Sequence, residues 1–330
     1  MSRDDSIDCI KGFLIFLVVF GHFVIIGLTT FDNKAIYSFI YLFHMPLFVF
    51  ISGLLTKRKE KEAFKQGWFG LFETFMAFSV YYSVLLYGMF DVSISYLLTP
   101  VWILWYLCSL LTYRFFFHFI DIHKYNPLLV VFLSFVVAII SGFVPFVDEK
   151  FAFNRTCTFL PFFVLGLYAQ KYKEIIKRVD NVPTIVCFLV LALIYYLCEK
   201  HEGFFLMMVE SDGHNYYLNY ADVNTLLYMR IIYLLVAFIA SICVLRLIPK
   251  LEVLSKCGKN SLNIYLYHAF PCWYLGKITC HYNYSIRFVS VVVISIITIY
   301  LINCFSDNKV SGFLLKPYTW IKSRRNNNNY

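Results

Sequence analysis

Six side chains set in apolar stretches can do acid–base or charge chemistry: Lys11, His22, His44, Glu73, Arg230 and His268. An ionisable group in mid-bilayer costs several kcal/mol on insertion scales, so each is a functional candidate. Lys11 and His22 are eleven residues apart. Eleven steps of an α-helix return to within about 20° of the starting azimuth, so both project from one face, about 16 Å apart along the axis. With Lys11 at the cytoplasmic interface, His22 falls near mid-membrane. The next apolar segment runs back antiparallel after a short connection and places His44 roughly 12 Å deep, close to the level of His22. Two imidazoles at one depth on neighbouring helices predict a shared polar cavity. Imidazole is the side chain suited to moving a proton near neutral pH. The alternative for each His is structural, a hydrogen bond to a backbone carbonyl at a helix interface.

The elements that must carry these residues are membrane helices. Of 330 residues, 60% are hydrophobic and 15% charged, with 36 Phe, 26 Tyr and 5 Trp and a mean hydropathy of +0.67. A soluble domain carries roughly 25% charged residues and could not bury this aromatic load. Stretches such as Ile231 to Leu247 are apolar on every face, without the short alternating pattern of a barrel. The fold class expected is all-α, a polytopic integral membrane protein of about ten transmembrane helices. Segments of about 20 apolar residues fall near 10–28, 36–55, 67–90, 99–120, 127–147, 156–170, 181–199, 223–248, 261–279 and 287–306. The first reads as a retained span, not a cleaved signal peptide. Residues 1–306 form a transmembrane domain; 307–330 form a cytoplasmic basic, Asn-rich tail, low-complexity and disordered from Arg324.

Charge sets the orientation. With that span count, 22 Lys and Arg lie on the side of both termini and 7 on the other, which puts both termini in the cytoplasm. The net charge of +9 is therefore a topology signal, and no nucleic-acid partner is expected. The ten Cys stand singly, so neither a disulfide framework nor a metal site is indicated.

Several runs resemble a known family. Ile7-Asp8-Cys9-Ile10-Lys11-Gly12 followed by Leu17-Val18-Val19-Phe20-Gly21-His22 resembles the opening helix of the membrane-bound acyltransferase family 3, in which a basic residue precedes a His by eleven positions. The run from Phe43 to Gly53 resembles its second helix, Trp102 to Leu107 its tryptophan-rich fourth-helix segment, and Ser261 to His268 a late-helix pattern. Lys11 stands where most members have Arg. Lys65-Gln66-Gly67-Trp68 supplies one cation where many have an Arg pair, and Glu73 falls near an expected Pro.

The resemblance, which includes sugar O-acetyltransferases of the fucose 4-O-acetylase kind, implies transfer of an acyl group, usually acetyl, from cytoplasmic acyl-CoA to a hydroxyl of a cell-surface polysaccharide or its sugar precursor. His22 is then the general base, Lys11 a contact for CoA phosphates, and His44 an orienting or substrate contact. Lys65 is a weaker candidate for acyl-CoA; Trp102, Trp105, Tyr106, Arg230 and His268 are candidates for the acceptor. Acetyl-CoA enters as a co-substrate, with no metal, and the setting is a multi-pass protein of a bacterial cytoplasmic membrane. The extra hydrolase-like domain of some members is not expected here. A transporter or flippase for a lipid-linked sugar is the alternative, since central His and Arg also build proton relays and anion sites.

Overall fold

A helix is the element in which a segment satisfies its own backbone inside lipid. The computed structural model describes residues 5–27, 34–57, 59–90, 100, 102–143, 152–171, 179–210, 222–279, 284–306 and 308–327, and its regular structure there is helical throughout. The helices are α1 (Asp5–Gly27), α2 (Lys34–Leu55), α3 (Lys61–Phe90), α4 (Trp105–Phe119), α5 (Pro127–Ile140), α6 (Phe153–Lys171), α7 (Thr184–Lys200), α8 (Glu202–Glu210), α9 (Val223–Leu247), α10 (Glu252–Lys259), α11 (Ser261–Tyr267), α12 (Ala269–Thr279), α13 (Tyr284–Ser306), α14 (Lys309–Leu315) and α15 (Pro317–Asn327). Short polar side chains start several of them. Asn126 accepts from the Leu128 N–H ahead of α5, with Pro127 in the first turn. Asp222 accepts from Thr225 ahead of α9, and Asn308 from Val310 ahead of α14.

Where their residues are described, all ten expected segments lie largely on helix, yet fewer of those helices are long and apolar enough to cross a bilayer. Among the described residues five qualify, α1, α2, α3, α9 and α13; α7 and α8, bent by 105° at His201, make a sixth if taken as one span. The difference is physical. With 15 residues α4 rises only about 22 Å, short of a hydrocarbon core of about 30 Å. Although α6 has 19 residues, its first turns carry Asn154, Arg155, Thr156 and Thr158. At the other end of the chain, helix α15 continues to Asn327, where disorder was expected from Arg324. The protein is a multi-pass membrane protein. Leu128 (80% exposed) and Phe132 on α5, Leu189 on α7 and Tyr300 on α13 present apolar surface suited to lipid.

The chain divides into two compact units. The first holds α1, α2 to Ile51, the end of α6 from Ala169, α7 to α12 and α13 to Cys304; the second holds the end of α2, α3 to α5, α6 to Tyr168, the end of α13, α14 and α15. In the first unit α1 and α10 meet backbone to backbone. A Cβ on Gly12 would lie 1.9 Å from the Leu254 carbonyl oxygen, and one on Gly258 would lie 1.8 Å from the Asp8 oxygen. Glycine at both positions is what lets the helices touch. Cys9 donates to the Leu251 carbonyl and Ser255 to Asp5 across the same contact.

The second unit is tied by hydroxyls and one carboxylate. Ser109 bonds Thr156 and Tyr113 donates to the Thr156 carbonyl, joining α4 to α6. Trp68 donates to the Leu111 carbonyl, joining α3 to α4, and Tyr168 to the Ile122 carbonyl. Glu73 of α3, 8% exposed, accepts from the Thr319 N–H at 2.9 Å and from its hydroxyl. Thr319 lies in the first turn of α15, so a buried carboxylate from α3 caps that helix. This gives Glu73, a functional candidate by its depth, a structural partner.

Candidate active site

The first unit gathers four of the residues singled out above, with Arg230 buried in α9 of the same unit. Helix α1 runs unbroken from Asp5 to Gly27, so Lys11 and His22 do share its face as their spacing requires. The Lys11 ammonium lies 2.9 Å from the Asp8 carboxylate one turn earlier, the two side chains being 12% and 2% exposed. Asp8 thus compensates the charge of Lys11 where water is scarce. At the same end Lys259 of α10 pairs with Asp5 at 3.2 Å.

The partner of His22 is His268. Nδ1 of His22 lies 2.8 Å from Nε2 of His268, with the rings nearly parallel, 9° apart. His268 stands at the junction of α11 and α12 with helical backbone angles, and its Nδ1 lies 3.0 Å from the Ile264 carbonyl oxygen. Tyr41 sits beside both other rings, with centroids 6.3 Å from His22 and 4.5 Å from His44. Gly21 leaves room for it, since a Cβ there would come within 3.1 Å of the Tyr41 ring. His44 donates from Nδ1 to the Ile40 carbonyl at 2.8 Å, four residues back on its own helix.

His22 and His44 thus flank Tyr41, while the imidazole bonded to His22 comes from a residue 246 positions away. Exposure separates the three. His44 is 2% and His268 0% exposed, whereas His22 is half-buried. A group that must meet a substrate needs exposure, and of these three imidazoles His22 has the most.

Donor and acceptor bookkeeping then fixes the tautomers. A carbonyl only accepts, so the Nδ1 facing Ile264 carries hydrogen. With His268 neutral, its Nε2 is an acceptor, and Nδ1 of His22 must be the donor to it. That leaves Nε2 of His22 with the lone pair, the state a proton acceptor requires.

The remaining candidates belong to the second unit. Tyr106 is buried, its hydroxyl 2.5 Å from that of Ser52. The Trp105 ring stacks on Phe159 at 5.3 Å and carries the Arg155 guanidinium at 5.2 Å. Lys65, largely exposed, bonds Glu62 at 3.0 Å. The side chain of Trp102 lies outside the described residues.

A family model described as an acyltransferase domain, Acyl_transf_3, matches residues 4–304. The chain belongs to the acyltransferase 3 family. Among curated proteins, the Nodulation protein NolL of Mesorhizobium japonicum is 41% identical over 71 residues, covering 20% of this chain and 19% of that one. The Nodulation protein NolL of Sinorhizobium fredii is 45% identical over 58 residues, 16% of each. The matched chain thus spans less than a fifth of the length of these relatives. No solved structure matches significantly.

Proposed function

We propose that the protein is a membrane acyltransferase that moves an acyl group, acetyl by preference, from cytoplasmic acyl-CoA to a hydroxyl of a cell-surface polysaccharide or its sugar precursor. The observation that carries the reading is the half-buried His22, bonded through Nδ1 to a buried His268, in a chain whose family match runs almost end to end. A sugar hydroxyl is too weakly acidic to attack a thioester unaided at neutral pH, and a neutral imidazole with its lone pair on Nε2 supplies the missing base. Nε2 of His22 takes the hydroxyl proton as the oxygen attacks the thioester carbonyl. The C–O bond forms, the C–S bond breaks, and the proton passes from imidazolium to the leaving thiolate, so an ester and a CoA thiol result. Lys11, held by Asp8 at the end of α1 opposite His22 in depth, contacts the donor. With ten spans, the 22 to 7 division of Lys and Arg supports an orientation of this end, with both termini, toward the cytoplasm. The curated relatives are bacterial, which suits a bacterial membrane.

The test is thiol release from acetyl-CoA by the purified protein in lipid nanodiscs, with a panel of sugar and oligosaccharide acceptors and detection of the ester. General-base catalysis is typically worth 10²–10⁴ in rate, so His22→Gln should cost at least about a hundredfold in turnover while acyl-CoA still binds. Normal turnover in that variant would remove His22 from proton transfer. Acceptor transport without thiol release would refute acyl transfer altogether.

A further inference from the structure

We infer that His268 is the positioning residue of the reaction: it selects the tautomer of His22 and shares the positive charge that His22 acquires when it takes the acceptor's proton. The inference rests on the reading of His22 as base and assigns a role to a side chain that sequence alone placed among the acceptor contacts.

The chain of hydrogens has one direction. The Ile264 carbonyl accepts from Nδ1 of His268; Nε2 of His268 accepts from Nδ1 of His22; Nε2 of His22 accepts from the substrate. Each link is determined by the one before it, beginning at a group that can only accept. An imidazole released from this chain can place its hydrogen on either nitrogen, and one tautomer has no lone pair at Nε2. In hydrolytic triads a buried carboxylate holds the imidazole in the correct tautomer and stabilises the imidazolium. Here a neutral ring occupies that place. In a span this suits the setting, because no second permanent charge has to be kept in an apolar interior.

Burial supports a positioning role over substrate contact. His268 is 0% exposed and lies among Ile264, Tyr265, Leu266 and Ala269, all themselves buried. Its ring is held at both nitrogens, by its own helix and by His22, so its orientation is fixed before any substrate arrives. When Nε2 of His22 takes the proton, the hydrogen bond from its Nδ1 becomes charge-assisted and strengthens. The interaction is thus stronger in the transition state than in the ground state, which is what lowers a barrier.

The experiment compares His268→Ala, His268→Gln and His22→Ala in nanodiscs, by steady-state kinetics and by 15N spectroscopy of histidine-labelled protein. His268→Ala should lower kcat at least about tenfold, the scale of lost orienting partners, with KM for acyl-CoA and acceptor unchanged. His268→Gln, whose amide oxygen can accept from Nδ1 of His22, should recover most of that loss. In the wild-type spectrum Nε2 of His22, assigned by its absence from His22→Ala, should be unprotonated, and His268→Ala should introduce the opposite tautomer. A protonated Nε2 in the neutral wild-type pair, or an unchanged kcat in folded His268→Ala, would overturn the positioning role. If His22→Ala keeps its turnover, the general-base reading falls first; if only the His268 variants keep theirs, the general-base reading stands and this inference fails.

Discussion

Both units bury polar groups among apolar helices, and they do it in opposite ways. The second unit pairs hydroxyl with hydroxyl or with carbonyl: Ser52 with Tyr106, Ser109 with Thr156, Tyr113 with the backbone of residue 156. Among its described residues the buried carboxylate is Glu73, which is occupied by Thr319. The first unit places ionisable groups in series along α1, an ammonium on a carboxylate at one level and an imidazole on an imidazole about 16 Å away. Neutral networks of the first kind hold membrane helices together, each bond worth roughly 0.6 kcal/mol, up to about 2. Only a group that can change its charge moves a proton. Polarity inside a membrane domain is therefore a weak guide to chemistry, and a titratable group that keeps exposure is a stronger one.

The comparison breaks hardest where α1 meets α10. Gly12→Ala and Gly258→Ala each drive a methyl group into backbone carbonyl atoms that cannot step aside. Overpacking typically costs 1–3 kcal/mol and more when backbone must move; with two helices forced apart, about 3 kcal/mol or more is expected for each. The monodisperse fraction in detergent should collapse together with all activity. Gly88→Ala and Gly312→Ala, where nothing lies within 4 Å of the added carbon, serve as controls and should behave as wild type. A well-folded Gly12→Ala would show that this helix contact does not organise the first unit.

How much of this was legible in the sequence depended on how local the signal was. The co-facial placement of Lys11 and His22 follows from helix periodicity alone, and the structure keeps it. Asp8 stands one turn from Lys11, so that their pairing too is within reach of helix spacing. The bond from His22 to His268 spans 246 residues, and no periodicity reaches that far. Each His was flagged; their union was not, because equal depth is shared by many pairs of helices and only packing chooses among them. Glu73 shows the same blindness, its partner Thr319 lying just ahead of a tail that composition alone read as unstructured. Hydropathy registers apolar stretches whether or not their helices are long enough to cross, so ten apolar segments stand beside five or six helices that qualify as spans among the described residues.

A milder test concerns that carboxylate. Glu73→Ala removes two hydrogen bonds to a charged acceptor and uncaps α15, and a hydrogen bond to a charged group is worth about 1.5–3 kcal/mol. A loss of about 2 kcal/mol is expected, seen as faster thermal inactivation in nanodiscs. Glu73→Gln, which keeps an acceptor oxygen for the Thr319 N–H, should recover part of it. In both variants the protein that remains folded should turn over normally. A fall in kcat without a fall in stability would move Glu73 from the scaffold to the chemistry and erase the contrast between the units.

The smallest effect is expected at Tyr106, and it is the most discriminating. The residue was a candidate contact for the acceptor, yet in the structure its hydroxyl lies 2.5 Å from that of Ser52 and it is 7% exposed. Tyr106→Phe removes the phenolic oxygen and little else, so it isolates that bond. If the bond is structural, the variant loses about 1 kcal/mol of stability, the typical net worth of one hydrogen bond, and keeps both kcat and the acceptor KM. If the oxygen instead grips the acceptor, stability barely changes and the acceptor KM rises about fivefold or more, the same free energy now subtracted from binding. Ser52→Ala separates the two further. Under the structural reading it should reproduce the Tyr106→Phe loss, and the double variant should lose less than the sum, because both single changes break one bond. Under the acceptor reading the two changes add. The hydroxyl thus contributes either to the neutral scaffold or to a site, and the double-mutant cycle reads which without identifying the sugar.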